Sequence, residues 1–152
     1  MRCMHGVCMT VQFIIRGKAH PQGRPRFGRD GRTYTAPADR EWHETVVSEW
    51  RRCSSKRILD GPFLVFMDVY EQRPKSHLTV AGELNHVGRK MPVPTRGDLD
   101  NYAKGVIDAL VRQEVIPDDR YMVELHVTKQ WTPTTDKESF TDVSIARGST
   151  SR

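Results

Sequence analysis

The sequence predicts an α/β chain of the α+β kind, with a small mixed β-sheet packed against two main helices. Three observations carry this. Runs rich in β-branched and aromatic residues (VQFII, FLVFMDVY and YMVELHVTKQW) alternate with two longer segments of helical apolar spacing. Their order, β-loop-α-β-loop-α-β-β, puts helices onto a sheet rather than into a bundle. A chain of 152 residues is most simply one domain with a real core.

Residues 11–15 are short and β-branched, a first strand. Residues 16–35, RGKAHPQGRPRFGRDGRTYT, form a loop or ribbon: Pro21 and Pro25 break any helix, and Gly23, Gly28 and Gly31 permit turns. Thr35 is placed to cap a helix over residues 37–53, with Pro37 in its first turn and Trp42, Val46, Val47 and Trp50 at helical spacing. Residues 63–70 are a strong strand. Residues 71–97 carry Pro74, Gly82, Gly88, Pro92 and Pro94 and read as a long irregular segment. Residues 99–112 form the second helix, residues 117–120 a turn, and residues 121–131 and 140–146 the last two strands. Residues 1–8 and 148–152 read as disordered tails around a domain over residues 9–147, and Met1, Met4 and Met9 are each a candidate start. The three tryptophans and Met67 read as core.

Composition excludes several classes. No run of 18 apolar residues exists, so no helix spans a membrane, and the opening residues lack a signal-peptide layout. Cys3, Cys8 and Cys53 make no metal-ligand pattern and no disulfide framework, which fits a reducing cytoplasm. The six histidines show no zinc spacing. The net charge of +5 is uneven: residues 1–60 hold 12 Lys and Arg against 6 Asp and Glu, and the remainder 12 against 13. A basic half joined to an acidic half suits a polyanionic partner.

The acidic half concentrates in RGDLDNYAKGVIDALV. Were Asp98 and Asp100 both helical they would point about 200° apart. A chain that approaches extended and turns helical at Asn101 presents both together, with Lys104 one turn on. Asp118 and Asp119 fall in a turn before the next strand, and Lys129 lies further along that strand. Such carboxylates suit a hard cation, Mg²⁺ or in its place Mn²⁺, which would complete its shell with phosphate oxygens. Helix capping and i,i+4 pairing account for the same residues without a metal, and Asp108 is assigned a structural role. In the basic loop, Arg24, Arg26, Arg29 and Arg32 surround Phe27 and Tyr34, a set that would grip a sugar-phosphate backbone and stack on unpaired bases. Lys75, Arg89, Lys90 and Arg96 repeat the pattern weakly.

The motif GDLDNYAKGVIDAL, followed by VIPDDRYMVELHVTK, resembles the RusA family of Holliday-junction resolvases of bacteria and their prophages. The 21 positions from Asp98 to Asp119 match the family spacing, and GRPRFGRDGRTYTAPADREW resembles its N-terminal G-R-P-R segment. The resemblance implies that Asp98, Asp100 and Asp119 are Mg²⁺-binding catalytic acids and Lys104 a catalytic lysine, with Asn101 and Asp118 in support. It implies a homodimer that cuts two strands of a four-way DNA junction, and a nuclease domain over residues 9–147. Two departures mark the chain: Gly97 stands where many relatives carry Pro or Arg, and the 73–94 segment is longer than in the shorter members. Two other classes stay open, a non-catalytic branched-DNA-binding accessory protein and a metal-dependent phosphohydrolase of small substrates. Lys129 joins the loop residues as a candidate DNA contact.

Overall fold

The computed structural model describes residues 8–53, 61–133 and 137–148. Of the expected tails over residues 1–8 and 148–152, residues 1–7 and 149–152 lie outside the described residues; Cys8 instead belongs to the first strand, opposite Arg147, and the Gly148 N–H donates to the Pro62 carbonyl at 2.9 Å. The fold is a mixed α+β arrangement. Strands β1 (Cys8–Arg16), β4 (Phe63–Glu71), β5 (Met122–Trp131) and β6 (Phe140–Arg147) form one sheet in the order β1-β6-β4-β5. Only the β4–β5 pair is parallel. The two residues Arg26–Phe27 (β2) and Thr33–Tyr34 (β3) pair as a small separate ribbon. Helices α1 (Pro37–Cys53) and α3 (Leu99–Arg112) pack on each other and against β1 and β5 respectively.

Strand alternation decides what the helices cover. Phe63, Val65, Met67 and Val69 on β4, Phe13 and Ile15 on β1, and Val143 and Ile145 on β6 are all buried. They meet Trp42, Val46 and Trp50 of α1 and Tyr102, Val106 and Leu110 of α3 in one core cluster. The opposite sheet face carries Phe66 stacked on His126 and Tyr70 stacked on Phe140. The parallel pair requires a crossover, and the chain makes it through the 72–97 segment and α3.

Four expectations change in detail. Ala36, not Thr35, immediately precedes α1, and the Asp39 and Arg40 N–H groups both reach its carbonyl at 3.0 and 3.1 Å. Helix α3 spans Leu99–Arg112 as expected, but only Asp98 keeps extended backbone (φ −88°, ψ 145°), so Asp100 is already helical and not part of an extended entry. The 71–97 segment is less irregular than its glycines and prolines imply. It holds a 3₁₀ turn at Lys75–His77, a Leu78–Leu84 bridge and a short helix α2 (His86–Lys90), whose first turn is capped by the Asn85 side chain. Trp131 is not core. Half-buried at the end of β5, it donates to the Met91 carbonyl at 2.8 Å, with the Arg73 guanidinium over its ring, and so ties this segment to the sheet.

Leu110 is fully buried in the core while Val123 on β5 is 65% exposed. Leu110→Ala is expected to cost about 2–5 kcal/mol of unfolding free energy, and Val123→Ala less than about 0.5 kcal/mol. Urea unfolding of both variants checks this.

Candidate active site

The acidic stretch is positioned from beneath. Glu71, the last residue of β4, continues the inward alternation of Val65, Met67 and Val69 and is buried there. The buried Tyr102 hydroxyl lies 2.8 Å from its Oε1 and 3.0 Å from the Arg96 carbonyl oxygen, so one proton serves two acceptors. The Lys129 ammonium donates to the Gly97 carbonyl at 2.7 Å and the Arg96 carbonyl at 3.2 Å. Gly97 itself has φ +69°, and a Cβ there would come within 2.7 Å of the Tyr102 ring. Proline, whose φ is fixed near −65°, cannot occupy this turn, which explains the glycine.

The turn delivers Asp98 to the N-terminus of α3. An Asp there ordinarily accepts a hydrogen bond from the first-turn N–H groups, yet the Asp98 side chain makes no such bond. Asp100 lies in the first helical turn, and Asp98, Asp100 and Lys104 are all exposed. Among the described residues none of these three is ion-paired. The two carboxylates are thus held in place by their backbone while their oxygens stay uncommitted.

Asp118 and Asp119 sit elsewhere. Asp118 caps a 3₁₀ turn (Asp119–Tyr121) by accepting from the Arg120 N–H at 3.0 Å and pairs with the Arg120 guanidinium at 3.0 Å. The backbone N–H of Arg120, with its guanidinium in addition, holds the Asp118 carboxyl below the usual carboxylate range. Asp119 is exposed. That turn lies at the start of β5, whereas Lys129, which clasps the Gly97 turn, lies near its end. Met122 and Lys129 are seven strand positions apart, on the order of 20 Å, and the 14 residues of α3 span a similar length. Accordingly, among the described residues no three His, Cys, Asp or Glu side chains of one chain are gathered to hold a metal. Asp98 and Asp100 thus stand at the start of α3, with Lys104 a turn further on and Lys129 on the turn just before it, while Asp119 stands near the far end of the helix.

The basic loop is moored beside this helix. Gln22 is the latch: its N–H donates to the Asn101 carbonyl at 3.0 Å, its amide to Asp108 at 2.7 Å, and its Oε1 lies 3.2 Å from His43. Asp39, buried in α1, meets His20 at 2.7 Å and accepts from the Gly23 N–H at 3.2 Å. Asp108 therefore anchors the loop, the structural role assigned to it. Beyond the latch, Arg24, Arg26, Arg29 and Arg32 are exposed, and Phe27 and Tyr34 are 78% and 49% exposed. Gln22, Glu71 and Tyr102 were not foreseen as site residues. For Glu71 the signal was present, since a carboxylate in step with Val65, Met67 and Val69 must point inward.

An α+β fold with two carboxylates and a lysine exposed at an open helix end, flanked by an arginine ribbon, carries the groups suited to nucleic-acid phosphates. Residues 16–138 match the family of RusA endodeoxyribonucleases. The chain is also 32% identical over 126 residues to the uncharacterized protein YqaN of Bacillus subtilis strain 168, covering 78% of this chain and 86% of that protein. The chain belongs to the RusA endodeoxyribonuclease family, the family of Holliday-junction resolvases.

Burial pushes the Tyr102 phenol far above its usual value, and the Glu71 carboxylate adds to the effect. A phenol whose folded pKa is raised contributes stability that is intact below its unfolded value near about 10 and lost as pH rises beyond it. Tyr102→Phe is expected to cost about 1–3 kcal/mol at neutral pH, because Glu71 loses its donor, and to flatten the decline in urea midpoint above pH of about 10. Equal steepness in both proteins would assign that decline to other groups.

Proposed function

We propose that the chain is a Mg²⁺-dependent, structure-specific endodeoxyribonuclease. It would resolve Holliday junctions or related branched DNA by paired phosphodiester hydrolysis in recombination and repair, as a homodimer in a bacterial cytoplasm, whether its gene is chromosomal or prophage-borne. The observation that carries this reading is the Asp98 carboxylate at the α3 N-terminus, released from capping, beside Asp100 and Lys104. The donor set fits the ion: exposed carboxylate oxygens are what Mg²⁺, with Mn²⁺ as substitute, prefers. Asp98, Asp100 and Asp119 would hold it, and when bound it supplies charge neutralisation and water activation for phosphodiester hydrolysis.

The remaining roles belong to the chain itself. Lys104 places an ammonium one turn from Asp100, where it stabilises negative charge gathering on the phosphate under attack. Lys129 fixes the carbonyls of the turn that carries Asp98 and keeps a second cation near the substrate. Arg24, Arg26, Arg29 and Arg32 grip the backbone, and Phe27 stacks on bases left unpaired at a branch point. Asn101 and Asp118 are supports, the first through the loop latch and the second through the turn that presents Asp119. Exposed acids on an open surface suit a long polyanion better than a small molecule.

The separation of Asp119 from Asp98 within one chain supports the dimer. Three carboxylates meet only if Asp119 of the partner subunit approaches Asp98 and Asp100, and a two-fold axis makes that exchange reciprocal. Asp98→Asn is expected to reduce cleavage of a four-way junction at least about 100-fold while junction binding stays equal or tightens, with EDTA acting on the wild type as the mutation does. A variant that cuts at the wild-type rate overturns the assignment. Mixing Asp98→Asn with Asp119→Asn protein tests the dimer: a site shared between subunits leaves one intact centre per mixed dimer and restores nicking. Sites confined to single chains would leave the mixture inactive.

A further inference from the structure

A cleft of about 420 Å³ opens between α1 and α3, on the side away from the Asp98 turn. Arg40, Glu44, Ser48 and Arg51 line it from α1 at helical steps of four, four and three, and Arg112 closes it from the last turn of α3. Three guanidiniums therefore face one trough with Glu44 as the carboxylate among them. Among the described residues none of the three is ion-paired, and Arg51 is steadied by a hydrogen bond to the Gln113 side chain at 3.3 Å. Three guanidiniums against one carboxylate leave the trough with net positive charge, an arrangement that favours a bound anion. His43, buried in the cleft wall, does not add a fourth cation near neutral pH: burial, and after it the Arg112 charge, hold its imidazole below the usual range.

The cleft is an extended track rather than a pocket for one small anion. Arg40 and Arg51 are eleven residues apart, roughly 16 Å along the helix, which spans several phosphates of a DNA strand at about 3.4 Å of axis each. It is also continuous with the surface already described. Asn101, Lys104, Asp108 and Arg112 follow one another at helical steps of three and four, so one stripe of α3 runs from the acidic end, past the Gln22 latch, to the cleft. The latch that roots the arginine loop rests on His43, in the cleft wall.

We propose that the α1–α3 cleft binds the sugar-phosphate backbone of a DNA arm leading away from the branch point, on the order of 20 Å from Asp98. This rests on the branched-DNA reading above, but concerns holding an arm rather than cutting it. Each arginine then contributes one phosphate contact, independent of sequence.

Binding of the full chain to a four-way junction and to a linear duplex, by fluorescence anisotropy in EDTA over a series of salt concentrations, tests it. Arg40→Ala, Arg51→Ala and Arg112→Ala are each expected to reduce the slope of log affinity against log salt by about 0.9, and the triple variant by about three times that. Ser48→Glu, a change at an exposed helical position that leaves every arginine in place, is expected to weaken both complexes several-fold. Folded variants, verified by circular dichroism, that keep the wild-type slope overturn the cleft, as does a silent Ser48→Glu. Loss of slope in the arginine variants together with undiminished cutting by Asp98→Asn sustains the cleft and overturns the catalytic reading instead. A wild type that binds neither DNA overturns both.

Discussion

Everything at the acidic end of the molecule depends on two carbonyls, those of Arg96 and Gly97. They lie just before α3 begins, and two donors reach them: the Tyr102 hydroxyl of α3, from within the core, reaches the Arg96 carbonyl, and the Lys129 ammonium of β5 reaches both. Without those donors the turn would be a glycine with positive φ at the end of a proline-rich segment. With them it becomes a fixed corner, and the direction in which Asp98 leaves that corner is set by buried groups. The Glu71 carboxylate is the deepest member. Its burial would be costly unpaired, and the Tyr102 hydroxyl offsets that cost while making the corner part of the core.

This arrangement relieves the Asp98 side chain of capping at the helix end. An Asp at this position normally contributes about 0.5–2 kcal/mol through a capping bond. Here the clasp beneath holds the helix start, and the Asp98 oxygens are left for other partners. The same division recurs at the 3₁₀ turn before β5. Asp118 takes the capping and ion-pair duties with Arg120, and its neighbour Asp119 stays exposed. In each case one residue or group does the structural work so that an adjacent carboxylate need not.

Helices, strands and the acidic motif were legible in the sequence because each rests on local information. Trp42, Val46 and Trp50 mark the inner face of α1 by spacing alone, and the alternation of residues 63–69 marks that of β4. What the sequence withheld depends on residues far apart in the chain. Gln22 reads as an unremarked loop residue until Asn101, Asp108 and His43 surround it. The order within the 71–97 segment was hidden for the same reason. Its glycines and prolines describe a chain free to turn, while Trp131, some forty residues on, decides where the turning stops. The placement of Asp119 is the sharpest instance. A spacing of 21 residues is compatible with proximity, but a helix followed by a strand running back beside it returns the chain to the clasp only at Lys129.

The proposed function depends on the opposed ends of α3. At one end stand Asp98, Asp100 and Lys104, with Lys129 on the turn before them, and towards the other lie Asp119 and the arginines of the α1–α3 cleft. A helix of 14 residues holds these ends apart at roughly 20 Å, a spacing that no side-chain movement can close. Among the described residues the three acids of the proposed site do not meet within one chain, and in the proposed dimer each end would supply what the other end of an identical copy lacks. Two-fold pairing would therefore generate two equal centres at once. That is the symmetry demanded by a four-way junction, in which two strands must be cut alike.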